Sequence, residues 1–150
     1  MQLSKDLREF IELLNANGIE YLVIGGFALA WHGHPRFTAD IDFLVRPDRA
    51  NAELVVKALH DFGFAGLRIT PEDMAEPDQI LQLGVKPNRI DIITSIAGVS
   101  FEEAWAGRVA GSIDGTPVFF IGREELIRNK ESTGRPQDLA DADALRKRRA

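Results

Sequence analysis

Apolar residues recur at helical spacing at Leu3, Leu7, Phe10, Ile11 and Leu14, and Asn17-Gly18 supplies a stop. An opening amphipathic helix is therefore predicted. Residues 19–24 then form an almost continuous apolar run that suits a buried strand. Gly25-Gly26 turns the chain into a short helix-like segment over residues 27–32. Residues 40–45, acidic and apolar in alternation up to Phe43 and then apolar, read as a second strand. Pro47-Asp48 opens a further helix with Ala52, Val55, Val56, Leu59 and Phe62 on one apolar face, ended by Gly63.

The middle of the chain is less regular. Leu67-Arg68-Ile69 suggests a short strand, and residues 71–78 an acidic loop or single helical turn. Residues 80–85 and 88–94 read as a strand pair around a Lys86-Pro87-Asn88 turn. A short helix is expected over 101–105, then a hairpin over 109–120 broken at Asp114-Gly115. Two C-terminal helices follow, joined through Ser132 to Pro136, with the proline suited to a first helical turn. No repeat or long linker interrupts this order. The expected fold class is α/β (α+β), a mixed sheet flanked by helices, in a single domain over 1–150 with the helices of 122–150 packed on the core.

Composition narrows the functional classes. Hydrophobic residues make up 45% and charged residues 27% of the 150, enough for a sizeable core. The absence of cysteine excludes disulfides, thiolate zinc sites and cysteine nucleophiles, and fits an expected cytoplasmic location. No apolar run has the length of a membrane span, and the opening residues lack the apolar core of a secretory signal. A formal charge of −5 argues against a large RNA substrate, though the Arg146-Lys147-Arg148-Arg149 patch leaves a locally bound nucleic-acid end open. That patch also suits a solvated helix C-terminus.

The candidate chemistry lies in Asp40-Ile41-Asp42-Phe43. Residues i and i+2 of a strand share a face, so Asp40 and Asp42 present two carboxylates together while Ile41 and Phe43 enter the core. Asp91, within Arg89-Ile90-Asp91-Ile92-Ile93, offers a third carboxylate in an equally apolar run. Such acids need partners or a metal to offset desolvation. A Mg²⁺ ion takes one or two protein carboxylates with substrate phosphates, and paired cations serve phosphoryl transfer. Gly25-Gly26 permits close backbone approach to a phosphate chain, although a tight turn requires no ligand. Neither a Walker A motif nor the dinucleotide glycine fingerprint is present.

Gly25-Gly26, the helix-like segment after it and Asp40-Ile41-Asp42 resemble the signature of the polymerase-beta-like nucleotidyltransferase superfamily, and Asp91 before Ile92-Ile93 resembles its third carboxylate. Within it, Gly25 to Leu29 with His34 to Asp40 is similar to small bacterial proteins related to abortive-infection toxin nucleotidyltransferases; lincosamide-type antibiotic nucleotidyltransferases are a second neighbour. The resemblance spans roughly residues 21–141 and implies a minimal nucleotidyltransferase fold. It implies that Asp40, Asp42 and Asp91 are catalytic and hold Mg²⁺, with Mn²⁺ as an alternative, and that Gly25 and Gly26 hold the triphosphate of an NTP. A nucleoside monophosphate would pass to an acceptor hydroxyl with release of pyrophosphate. The acceptor stays open among a protein hydroxyl, a small molecule such as an antibiotic, and a nucleic-acid end. The contrasting reading is a non-catalytic interaction protein or antitoxin-like partner on the same fold, and a protein partner or homodimer is compatible with either.

Further candidates are Arg36, as a phosphate contact or a structural ion pair, and Thr38, as a phosphate-side hydroxyl or a loop cap. Lys130 with Gly134-Arg135-Pro136-Gln137-Asp138 resembles a lysine followed by an Arg-Pro-Lys-Asp-like element, with Gln137 in place of the second lysine. Lys130 is expected to contact phosphate or to lie on a solvated helix end; Asp138 or Asp141 could cap, orient Arg135 or pair with basic residues. His32 and His34 lack zinc-site spacing, and Tyr21, Trp31 and Trp105 suit packing better than base stacking.

Overall fold

The computed structural model describes residues 4–35, 38, 40–64, 66–84 and 89–147. Helix α1 (Lys5–Ala16) begins at Ser4, whose hydroxyl accepts the Leu7 N–H, and buries Leu7, Phe10, Ile11 and Leu14. Capping and periodicity thus agree on its limits. Strand β1 (Tyr21–Ile24) is buried along its whole length and runs directly into α2 (Gly25–Trp31). Strand β2 (Asp40–Val45) alternates half-buried acids with buried apolar residues before becoming fully buried.

Helix α3 (Arg49–Leu59) is capped by Asp48 and continues into a wide turn, His60–Phe64, where Gly63 takes φ +107°. The Asn51 side chain accepts the Glu20 N–H and donates to the Glu20 and Arg46 carbonyls, tying α3 to the ends of β1 and β2. After α4 (Pro71–Ala75) come β3 (Ile80–Leu83), β4 (Arg89–Ile93) and α5 (Phe101–Ala106). The hairpin of β5 (Val109–Ile113) and β6 (Thr116–Phe120) turns at Asp114 and Gly115, and α6 (Arg123–Thr133) and α7 (Pro136–Lys147) complete the described chain.

The six strands form one mixed sheet in the order β3-β4-β2-β1-β6-β5. Pairs β2/β4 and β1/β6 are parallel, and the others antiparallel. Helix α1 covers one part of the core, where Phe10 meets Phe43 and Phe62 at ring-centroid separations of 5.7 and 5.2 Å. Each fully buried Phe contributes roughly 2–3 kcal/mol through apolar burial. Tyr21 packs against Phe43 and donates its hydroxyl to Asn15 Oδ1 at 2.9 Å, so the phenol is buried with its polar atom satisfied.

Two expectations change. Leu67-Arg68-Ile69 forms no strand. This segment leads into the Thr70–Asp73 capping box of α4, which commits its backbone to starting a helix. Helix α2 begins at Gly25 itself rather than after the glycine pair. Trp31 is a packing residue on one side only, stacked on Phe120 at 4.7 Å but 42% exposed. Leu3, the Lys86-Pro87-Asn88 turn and the tail beyond Lys147 lie outside the described residues.

Candidate active site

Register brings the acids together. In the parallel pair of β2 and β4, Asp40 stands opposite Arg89 and Asp42 opposite Asp91. Side chains at matched positions project from the same face, so these four form a square on the sheet. Chain order alone separates them widely; the Asp40 and Arg89 positions are 49 residues apart.

The square is tightly coupled. Arg89 Nη2 donates to Asp40 Oδ2 at 2.7 Å, and Arg89 Nε lies 3.2 Å from Asp91 Oδ1. Burial pushes the Asp42 carboxyl up to about 7, reinforced by its hydrogen bond to Asp91 and by repulsion from Asp91 and Asp40; Arg89 opposes the rise. Near neutrality the Asp42 carboxyl therefore carries a proton part of the time. Buried oxygens Asp40 Oδ1 and Asp91 Oδ1 have no hydrogen-bond partner.

Beside the square the backbone comes unusually close. Gly25 has φ +66°, and a Cβ there would fall 2.2 Å from Asp42 Oδ2. A Cβ on Gly26 would fall 2.8 Å from Thr38 Oγ1. The glycine pair is thus required by the side chains packed against it. The Thr38 hydroxyl donates to the Asp40 carbonyl at 3.0 Å, which is the loop-cap role. Arg36 lies outside the described residues.

A cleft of about 540 Å³ opens over this surface, with Gly25, Gly26, Thr38, Asp40, Asp42 and Asp91 on one wall and Lys130, Thr133, Arg135 and Asp138 on another. A larger groove of about 660 Å³, beside α1 and the 60–64 turn, is rimmed by Asp6, Glu9, Glu12 and Asp61 and would repel a phosphate.

The sequence and this geometry meet in one comparison. A family model described as the nucleotidyl transferase AbiEii toxin of Type IV toxin–antitoxin systems matches residues 13–96. The chain belongs to the AbiEii family. The matched stretch holds Gly25, Gly26, Asp40, Asp42 and Asp91. Among solved structures, a candidate nucleotidyltransferase from Thermotoga maritima aligns with TM-score 0.58 and 16% identity, covering 94% of this chain and 88% of its own. An antigenic nucleotidyltransferase-like protein from Paracoccidioides brasiliensis aligns with TM-score 0.53 and 17% identity, covering 95% and 77%. These two likenesses establish a shared nucleotidyltransferase-like fold. A search of curated proteins gave no match.

Beyond the AbiEii match, the second wall is built from α6 and α7. Lys130 Nζ lies 3.2 Å from both Asp138 Oδ1 and Asp141 Oδ2. All three residues are buried, so the expectation of a solvated end for Lys130 is corrected. Burial disfavours the Asp138 carboxylate, but Thr133, Lys130 and Arg135 outweigh it and hold its pKa below the usual range. Thr133 Oγ1 donates to Asp138 Oδ2 at 2.6 Å, and Arg135 Nε does so at 2.8 Å. Arg135 is otherwise exposed and reaches this cluster from the cleft mouth. His34 Nε2 approaches Asp141 Oδ1 at 3.9 Å, while His32 Nε2 lies 2.7 Å from the Ile121 carbonyl.

The donor set suits a hard divalent cation: carboxylate oxygens only, two of them buried and without a hydrogen bond. Among the described residues, however, no three acidic or imidazole groups stand already arranged to hold a metal ion. Arg89 extends between Asp40 and Asp91 where a cation would draw them together.

Proposed function

We propose that this AbiEii-family protein is a Mg²⁺-dependent nucleotidyltransferase, with Mn²⁺ as a substitute, that moves a nucleoside monophosphate from an NTP to an acceptor hydroxyl and releases pyrophosphate. The observation that carries the reading is the registered square of Asp40, Asp42, Asp91 and Arg89 beneath a glycine turn that admits no side chain. Asp40, Asp42 and Asp91 would hold the metal, which when bound neutralises phosphate charge and polarises the α-phosphorus. Gly25 and Gly26 let the triphosphate approach the backbone. Asp42, whose carboxyl is pushed up to about 7 by burial and by its neighbours Asp91 and Asp40, is suited when ionised to take the proton of the acceptor hydroxyl. The Lys130–Asp138–Asp141 cluster fixes the opposite wall and positions Arg135 at its mouth.

The chain is read as one domain whose α6 and α7 complete the cleft. A second reading, a non-catalytic partner protein on the same fold, is favoured by the lack of a ready-made metal cage among the described residues. The two separate on turnover. Purified protein with each labelled NTP, Mg²⁺ or Mn²⁺ and a cell extract should transfer label and release pyrophosphate, and Asp42→Asn should do neither. Transfer by Asp42→Asn at the native rate would refute the assignment. NTP binding without turnover in any extract would favour the partner-protein reading.

A further inference from the structure

The Arg89 contacts differ from those of an ordinary structural ion pair. A guanidinium held only for stability is best placed against one carboxylate, with two parallel hydrogen bonds. Arg89 instead spans two carboxylates on different strands. It makes one short hydrogen bond, Nη2 to Asp40 Oδ2 at 2.7 Å. Toward Asp91 it makes a longer hydrogen bond, Nη2 to Oδ2 at 3.5 Å, and Nε lies 3.2 Å from Oδ1 without an aligned hydrogen bond. Asp40 Oδ1 and Asp91 Oδ1 are left without a hydrogen bond, Asp91 Oδ1 keeping only its ion-pair approach to Nε. The side chains are largely shielded, with 25%, 17% and 9% exposure for Arg89, Asp40 and Asp91, so one fixed positive charge among three acids matters more than at an open surface.

Resting on the nucleotidyltransferase reading, we propose that Arg89 is a resident counter-cation that competes with the divalent metal for Asp40 and Asp91, making tight metal binding depend on nucleotide. Without nucleotide, the guanidinium screens the repulsion between the two carboxylates and keeps β2 and β4 in register. A Mg²⁺ ion demands close, nearly octahedral oxygen ligands and loses water reluctantly. Alone, it must displace the Asp40–Arg89 bond and recovers few ligands. An arriving triphosphate supplies further oxygens to the metal and an anionic surface on which the released guanidinium fork can settle. Metal and nucleotide therefore tighten each other, and the coupling is equal in both directions. This also accounts for why the three acids are not preassembled as a cage: the charge that would assemble them is already supplied by a side chain.

The test measures Mn²⁺ affinity directly, by electron paramagnetic resonance or calorimetry, with and without a non-hydrolysable NTP analogue. The proteins are the native chain, Arg89→Gln, and Arg89→Lys, which keeps the charge but cannot bridge two carboxylates with a fork. Arg89→Gln should bind Mn²⁺ alone about 10-fold more tightly than the native protein, and the added effect of nucleotide should shrink by a similar factor. Arg89→Lys should fall between them. If Arg89→Gln does not fold, Arg89→Lys decides alone. Variants that bind Mn²⁺ no more tightly than the native chain without nucleotide overturn the competition. Absence of Mn²⁺ binding from all three proteins, even with nucleotide, overturns instead the metal-dependent reading on which it rests.

Discussion

Replacing Gly25 with alanine isolates the role of the glycine turn, because a second glycine provides its control. Gly25 and Gly18 have nearly the same φ, +66° and +65°. Alanine in this left-handed region costs roughly 1–2 kcal/mol at either site. The surroundings differ. A Cβ at Gly18 meets nothing within 4 Å, whereas one at Gly25 falls 2.2 Å from Asp42 Oδ2. Ordinary contact begins near 3.4 Å, so the Asp42 carboxylate must retreat by the difference, about 1.2 Å. Under the proposed nucleotidyltransferase reading, in which Asp42 takes part in the reaction, displacement by that distance should lower turnover by about 100-fold. Urea unfolding followed by circular dichroism should give the shared backbone cost for Gly18→Ala and a larger stability loss for Gly25→Ala, where the displaced carboxylate adds to it. Pyrophosphate release should fall only in Gly25→Ala. Equal activity in the two variants would refute the argument that the turn is shaped around Asp42.

Two further outcomes follow from the buried polar groups. Lys130→Met leaves Asp138 and Asp141 without their shared cation and should cost about 3–5 kcal/mol, read as a lower urea midpoint at unchanged slope; a loss below about 1 kcal/mol would mean that the cluster is hydrated. Burial, opposed by bonds to Asn15 and the Phe119 backbone, raises the Tyr21 hydroxyl from 10.0 to about 12. The unfolded chain releases this proton first, so the stabilisation is complete below pH 10 and is lost as pH rises toward 12. At about 1.4 kcal/mol per unit the loss approaches roughly 3 kcal/mol. Tyr21→Phe should show a correspondingly shallower decline across that window in chemical unfolding at stepped pH.

The elements legible in the sequence were those with a local cause. Helix α1 follows from its apolar spacing and Asn17-Gly18 stop, β2 from alternation around Asp40 and Asp42, and the β5–β6 hairpin from Asp114-Gly115. The Leu67-Arg68-Ile69 strand failed because two apolar residues flanking an arginine carry no information about an available sheet neighbour. The role of Arg89 was hidden for a different reason. Same-face logic places it beside Asp91 just as it places Asp40 beside Asp42, but the β2–β4 register, which decides what it touches, is tertiary. The Lys130 cluster left a readable trace. Asp138, Asp141, Ala142 and Leu145 lie at i, i+3, i+4 and i+7 on the buried stripe of α7, and two acids on such a stripe demand a cation.

The parallel pairing of β2 with β4 also sets a timetable for synthesis. Asp40 and Asp42 leave the ribosome well before Arg89 and Asp91, and α3, α4 and β3 intervene before the strands can pair. Until then the first two acids have neither their counter-charge nor the third carboxylate, and the cleft still lacks the wall that α6 and α7 provide. Non-local pairing of this kind forms late because loop closure must precede it. A nascent or prematurely ended chain therefore carries the most recognisable part of the site without a complete site. In this topology, completion of the cleft is deferred until nearly all of the described chain has been made.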